Sequence, residues 1–239
     1  MTILVTNDDG YCEGIKMLYE VAKDFDKTYA IIPDRQKSAI SKALTLHKPL
    51  RVHKIEEEMY GLNGTPADCA LFGIYCEDFE KPKLVLSGIN YGDNAALGSI
   101  MSSGTLGACW QAAIEEIPAI AFSICKKDRE WRKGVWGDQE KIKEFTKNAI
   151  KLLLDKHEKD CFYSVTLPSE FTDSTKIVFT NKVQRKRYAT KTIKKLDPYG
   201  TAYYWLHGDL NEKEEGTDLY EAAVNHNVSI CKISLDFVR

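Results

Sequence analysis

What the sequence lacks narrows it first. Its seven cysteines, at positions 12, 69, 76, 109, 125, 161 and 231, are odd in number, and no two are spaced as CxxC. Neither a disulfide framework nor a zinc ribbon is indicated, and a reducing cytoplasm is the expected compartment. No stretch approaches the roughly 20 apolar residues of a membrane span, and no basic leader precedes TILVT. The expectation is a protein neither exported nor anchored. Charge of one sign is not in excess either: 33 Lys and Arg face 35 Asp and Glu, a net charge of -2. A nucleic-acid polymer is therefore not an expected partner. What remains is 239 residues, 44% of them hydrophobic, enough for one domain with a sizeable core and no need of disulfides or a structural metal.

Short apolar runs alternate with helical patterns. TILVT (2–6) reads as a strand, followed by the loop NDDGYCEG and by a helix with Ile15, Leu18, Val21, Ala22 and Phe25 on one face. TYAIIP (28–33) and KLVLSGIN (83–90) read as further strands, while RVHKIEEEMYGLNG between them adds strands of open register. GTPADCALFGIYCEDF opens as a helix with Thr65 as N-cap, Pro66 at the first position and Asp68 at the third. SSGTLGACWQAAIEEIP is a second helix stopped by Pro118, and PAIAFSIC (118–125) a buried strand. A charged loop, KKDREWRKGVWGD, leads to a helix striped by Ile142, Phe145, Ala149, Ile150, Leu153 and Leu154. The strands FYSVTLP and TKIVFT follow. This alternation predicts βαβ units and a mainly parallel sheet in an α/β fold. Near 181 the character changes to a basic run and then an aromatic, turn-rich one, so a core over about 1–180 and an arm with closing segment over about 181–239 are expected within one domain.

In an open parallel sheet, ligands bind beyond the carboxyl ends of the strands. Three polar loops fall there: NDDG, PDRQKSAIS and SGINYGDN. Asp8 and Asp9 are adjacent like charges, and a divalent cation resolves their conflict; alone, NDDG reads equally as a tight turn closed by Gly10. Ser38 and Asn90 each add a neutral oxygen, though singly either reads as a loop cap. Together the four make an all-oxygen set suited to Mg²⁺, Mn²⁺ or Ca²⁺ rather than zinc. None of the five histidines, His47, His53, His157, His207 and His226, lies in these loops, which argues against a histidine-based metal site or a phosphohistidine.

Ser102, Ser103, Gly104 and Thr105 open a helix whose first amides are free, a setting suited to phosphate as well as to ordinary capping by Ser103. Arg35, Lys37 and Lys42 place positive charge near the same mouth or are simply solvated. Gly92, Asp93 and Asn94 either let backbone and amide groups approach a ligand or form a turn.

Read together, these blocks resemble the SurE survival proteins, metal-dependent nucleoside monophosphate phosphatases. TNDDG (6–10), PDRQKSA (33–39) with LTL (44–46), GTPADC (64–69), SGINYGDN (87–94), SGT (103–105), DPYG with YYW (197–205) and GTD (216–218) stand in family order. The resemblance implies a Rossmann-like three-layer α/β/α core with a C-terminal β-rich arm that pairs with another subunit, giving homodimers or homotetramers. By motif position Asp8, Asp9, Ser38 and Asn90 match the family's metal ligands, and Asn94, Ser103, Gly104 and Thr105 its phosphate-pocket segments. It implies one divalent ion per subunit, Mg²⁺ or Mn²⁺, and removal of phosphate from 5′- and 3′-nucleotides, with short polyphosphate cleaved by some members. Three departures stand out: Lys42 where relatives often have Asn or His, Tyr199 where DPRG has Arg, and SVTLP (164–168) in place of an asparagine-rich segment.

The expected chemistry is direct hydrolysis, with Asp8 and Asp9 as catalytic residues, Asp9 as proton acceptor, and Lys37 or Arg35 assisting the helix amides. Other readings differ in residues. A haloacid-dehalogenase phosphatase spaces its acids as DxDx[TV], and a receiver domain needs an Asp at the end of its third strand. A nucleotide-binding sensor or assembly protein with little turnover, or a short-chain exopolyphosphatase, shares the same set. The run Lys182–Lys195 reads as a substrate guide or as the solvated face of an exchanged hairpin. Tyr203, Tyr204 and Trp205 read as core or subunit interface ahead of a base-stacking platform.

Overall fold

The computed structural model describes residues 2–126, 136–156 and 158–236. His157 and most of the charged loop after Lys126 lie outside the described residues. In chain order the elements are β1 (Thr2–Thr6), α1 (Glu13–Lys23), β2 (Lys27–Pro33), β3 (Val52–Glu56), β4 (Met59–Leu62), α2 (Pro66–Tyr75), β5 (Leu84–Tyr91), α3 (Leu97–Ser102), α4 (Gly104–Ile114), β6 (Ala119–Ile124), α5 (Gln139–Leu154), β7 (Cys161–Leu167), β8 (Ile177–Thr180), β9 (Tyr188–Leu196), β10 (Ala202–Leu210), α6 (Asp218–Ala223) and β11 (Val228–Ser234).

The main sheet runs β3-β4-β2-β1-β5-β6-β7-β11-β8. From β4 to β7 every neighbouring pair is parallel. Such strands are covered on both faces, which is why β1, TILVT, is buried along its whole length and reads as a continuous apolar run. β3 pairs antiparallel at the edge and is mostly exposed, as an edge strand with polar side chains is.

Helices cover both faces, giving the three-layer α/β/α sandwich. On one side α1 and α5 bury Ile15, Leu18, Val21, Ile142, Ile150 and Leu153 against Ile3, Val5, Leu86 and Phe122. On the other, α2 and α4 bury Cys69, Ile74, Leu106, Cys109 and Ala112 against Leu4, Ile31, Val85 and Phe162. The start of α2 follows its sequence signal: the Thr65 hydroxyl accepts from the Asp68 N–H at 3.1 Å, and Asp68 accepts from the Thr65 N–H at 2.8 Å. This reciprocal cap satisfies amides that the helix start leaves unpaired. At the start of α5, Asp138 caps by accepting from Lys141 N–H at 3.1 Å.

β8 ends at Thr180, and β9 and β10 form a separate antiparallel hairpin from Tyr188 to Leu210. The chain then returns. β11 enters the main sheet between β7 and β8, antiparallel to the first and parallel to the second, so the end of the sheet is mixed. The sequence reading shows neither β11 nor the short helices α3 and α6.

Candidate active site

β1 lies between β2 and β5, and the chain leaves it for β2 on one side and reaches β5 on the other. This is the point where a doubly wound sheet opens a crevice at its carboxyl edge. A cleft of about 1070 Å³ occupies it, with Asp8, Asp9, Ser38, Asn90, Asn94 and Ser103 on its wall.

The turn after β1 is built by Asn7. Its side chain accepts from Gly10 N–H at 3.0 Å and donates to Gly10 O at 2.7 Å, closing the loop that presents both aspartates. The loop after β2 is tied to it, the Lys37 N–H donating to Asp8 O at 2.7 Å. Lys37 thus enters the site through its backbone. From β5, the Asn90 amide nitrogen donates to Gly92 O at 2.5 Å, which leaves the amide's own oxygen available as an acceptor.

Asp8 is 4% exposed. Burial pushes its carboxyl up to about 6; a hydrogen bond from the Thr105 side chain opposes this, and the Asp9 charge adds to the rise. The sequence assigns Thr105 to phosphate. In the structure its hydroxyl donates instead to Asp8 Oδ1 at 2.6 Å, and its backbone N–H also favours that carboxylate. The start of α4 therefore supports a carboxylate of the protein itself. Spacing along one helix cannot reveal this, because the contact joins residues nearly a hundred apart. Gly104 packs just behind: a Cβ there would meet Asp8 Cβ at 2.8 Å and Asp8 Oδ2 at 3.0 Å. Ser103 caps the helix, accepting from Leu106 N–H at 3.2 Å, while also facing the cleft. Asp9 is half-buried and accepts from Gln36 Nε2 at 3.0 Å.

Asn94 is 6% exposed, its N–H donates to Ser123 Oγ at 3.1 Å, and its side-chain nitrogen is buried with no hydrogen-bond partner. A buried donor left open is costly unless a ligand meets it. The loop that carries it is braced by the arm. Arg187 pairs with the Asp93 carboxylate at 2.9 Å, both side chains largely buried, while Leu97 N–H donates to Gln184 O at 2.7 Å and Asp218 Oδ2 accepts from Ala96 N–H at 2.9 Å. Asp218 belongs to GTD, so that block fastens the substrate-side loop to the base of the hairpin.

Sequence reasoning did not single out Lys126 after β6, or His207 and Asp209 from the hairpin; Tyr91 lies in the loop SGINYGDN, and Arg187 and Tyr188 in the run Lys182–Lys195 read as a substrate guide or a solvated face. Lys126 follows β6 and was findable by the strand-end rule that found Asn90. His207 and Asp209 follow no strand-end rule, because they arrive on β10 from a distant part of the chain. Arg35 lies on the exposed surface beside Asp34, at 3.8 Å.

The donor set fits a hard divalent cation. Two carboxylates side by side, a hydroxyl and an amide oxygen share one wall, and among the described residues no cation is a leading influence on the Asp8 carboxyl. Among the described residues no cluster of three or more His, Cys, Asp and Glu is present, as expected for a set with only two acids.

The fold and site together define a class: a doubly wound α/β protein whose strand switch point is lined by two carboxylates, a hydroxyl and an amide oxygen, with the unpaired Asn94 amide nitrogen on the same wall. Residues 3–190 match the family model described as "Survival protein SurE". The chain is 40% identical over 247 residues to a protein named 5′-nucleotidase SurE from Thermoanaerobacter sp. (strain X514), covering 99% of this chain and 93% of that one. It is 36% identical over 250 residues to the 5′-nucleotidase SurE of Hyperthermus butylicus, covering 98% and 85%. The crystal structure of the SurE protein from Aquifex aeolicus superposes with a TM-score of 0.84 at 32% identity, covering 99% of this chain and 94% of that one. This chain belongs to the SurE family.

Proposed function

We propose that this protein is a divalent-metal-dependent 5′-nucleotidase that hydrolyses nucleoside monophosphates to nucleoside and phosphate. The observation that carries the reading is convergence: Asp8, Asp9, Ser38 and Asn90, from three separate strand ends, face one cleft that also holds the unpaired amide of Asn94. The names of the relatives support the same activity.

Asp8, Asp9, Ser38 and Asn90 are the residues that would hold one Mg²⁺ or Mn²⁺ through their oxygens. Such an ion, when bound, supplies a water of lowered pKa and a counter-charge for the phosphate. Thr105 holds Asp8 in place by its hydroxyl, so Asp8 serves as a fixed ligand. Asp9 is more exposed and uses one oxygen on Gln36, so it is the carboxylate placed to take the water's proton. The Asn94 amide and the helix start at Ser103 and Gly104 hold phosphate oxygens as charge shifts in the transition state. The test is phosphate release from AMP: turnover with Mn²⁺ that EDTA abolishes supports the reading, and turnover unchanged by the chelator contradicts it.

We place the protein in the cytoplasm, supported by seven free thiols. No helix of the described residues is long and apolar enough to cross a membrane. We further propose that the hairpin pairs with a second copy to form a homodimer or homotetramer. Tyr199, Tyr204, Trp205 and Leu206 on it are each more than half exposed, Leu206 at 81%, and a lone two-stranded hairpin is marginal in water. Removing the outer hairpin, residues 191–207, while keeping β11 is expected to lower the solution mass to that of a smaller assembly in light scattering. An unchanged mass contradicts the arm's role.

A further inference from the structure

Lys126 lies outside the motif blocks quoted from the sequence, two residues beyond the end of β6 and on the wall of the cleft. Its side chain crosses the substrate-side loop. The ammonium sits 4.9 Å above the Tyr91 ring, a contact that favours a cation at that point. Gly92 makes the crossing possible: its φ is +131°, and a Cβ there would come within 2.9 Å of Lys126 Cε and 3.1 Å of Nζ. The loop leaves room for this cation where any other residue would crowd it.

Charges surround the ammonium without neutralising it. Asp9 and Asp93 attract it and Arg187 repels it, but Asp93 is committed to Arg187. Among the described residues neither acid comes within ion-pair distance. Burial lowers the Lys126 pKa from the ordinary lysine value, and the two acids oppose that fall. A half-buried ammonium beside an oxygen cage and the open amide of Asn94 forms one side of an anion cradle.

We propose that Lys126 is a catalytic residue of this enzyme, contacting a non-bridging oxygen of the substrate phosphate and countering its charge. The proposal rests on the phosphatase reading above. Lysine suits the role as a compact point charge on a flexible stem, and cations placed on transferring phosphoryl groups stabilise the charge that develops there.

The test compares wild type, Lys126→Met and Lys126→Arg by titration calorimetry of inorganic phosphate into the Mn²⁺-loaded protein, alongside kcat and KM for AMP. Loss of one charge-assisted contact is expected to weaken phosphate binding in Lys126→Met by about tenfold to a hundredfold, with kcat/KM falling in parallel, Mn²⁺ affinity unchanged and Lys126→Arg recovering most of the loss. If circular dichroism shows that Lys126→Met does not fold, Lys126→Gln carries the same expectation. Wild-type phosphate affinity in the neutral variant overturns the proposal. So does an equal loss of Mn²⁺ affinity, which would mean that Lys126 acts through Asp9, or an arginine variant no better than the methionine one. A wild-type protein that binds phosphate through Lys126 yet leaves AMP intact would refute the nucleotidase reading and leave the cradle standing.

Discussion

Asp8→Asn is expected to lower kcat/KM for AMP on the order of 10²- to 10⁴-fold and, at the same time, to raise the melting temperature of the metal-free protein. Both effects come from one buried charge. In the folded, metal-free chain the Asp8 carboxyl is raised from 3.8 to about 6, so between about pH 4 and 6 the folded state binds more protons than the unfolded one. Stability then falls as pH rises through that window, by about 3 kcal/mol in all. Asparagine keeps the acceptor for Thr105 but removes the charge. At pH 7.5 the variant should therefore melt on the order of 10 °C higher than metal-free wild type. Adding Mn²⁺ should stabilise wild type by binding the folded state alone and leave the variant unmoved. Differential scanning calorimetry with and without Mn²⁺ checks the thermal part, and a variant that melts lower than metal-free wild type at pH 7.5 would contradict it.

Gly104→Ala is expected to cost about a hundredfold in kcat/KM while leaving the identity of all four proposed metal ligands unchanged. The added Cβ would lie 2.8 Å from Asp8 Cβ and 3.0 Å from Ile40 Cγ2, so Asp8 or the start of α4 must shift. A displacement near 1 Å at a reacting centre is enough for a loss of that size. Gly98→Ala is the control, because its added atom meets nothing nearer than Arg185 O at 3.9 Å; it should behave as wild type. Steady-state kinetics together with Mn²⁺ titration separate the two, and equal activity in both variants would show that the packing of α4 on Asp8 does not set the site.

That Asp8, Ser38 and Asn90 line one cleft follows from a rule of topology. Asp8, Ser38 and Asn90 each follow an apolar run, and parallel strands bring their ends to one edge whatever the sequence between them. Thr105 was harder. Its position at a helix start pointed to a phosphate, yet the nearest anion in the folded chain is Asp8, a neighbour only once α4 has packed on the sheet. For the hairpin the sequence offers only the run Lys182–Lys195, as a substrate guide or a solvated face, and does not single out Arg187, because Arg187 meets Asp93 across 94 residues of chain. Among the elements, α3 lacked a signal since its N-cap is Ala96, at φ +70° and with no capping side chain. VSICKIS does carry a strand pattern, with its first four residues buried in β11, but it follows an arm-like segment and only the long-range pairing with β7 places it in the sheet.

The most direct test is a titration of Mn²⁺ into chelator-stripped protein while phosphate release from AMP is followed. No release is expected at zero metal, followed by a rise that saturates at one ion per chain, with both the binding and the activity missing in Asp8→Asn. Full activity in the stripped protein, or one tight ion still bound by the variant, would contradict the assignment of the metal to Asp8, Asp9, Ser38 and Asn90.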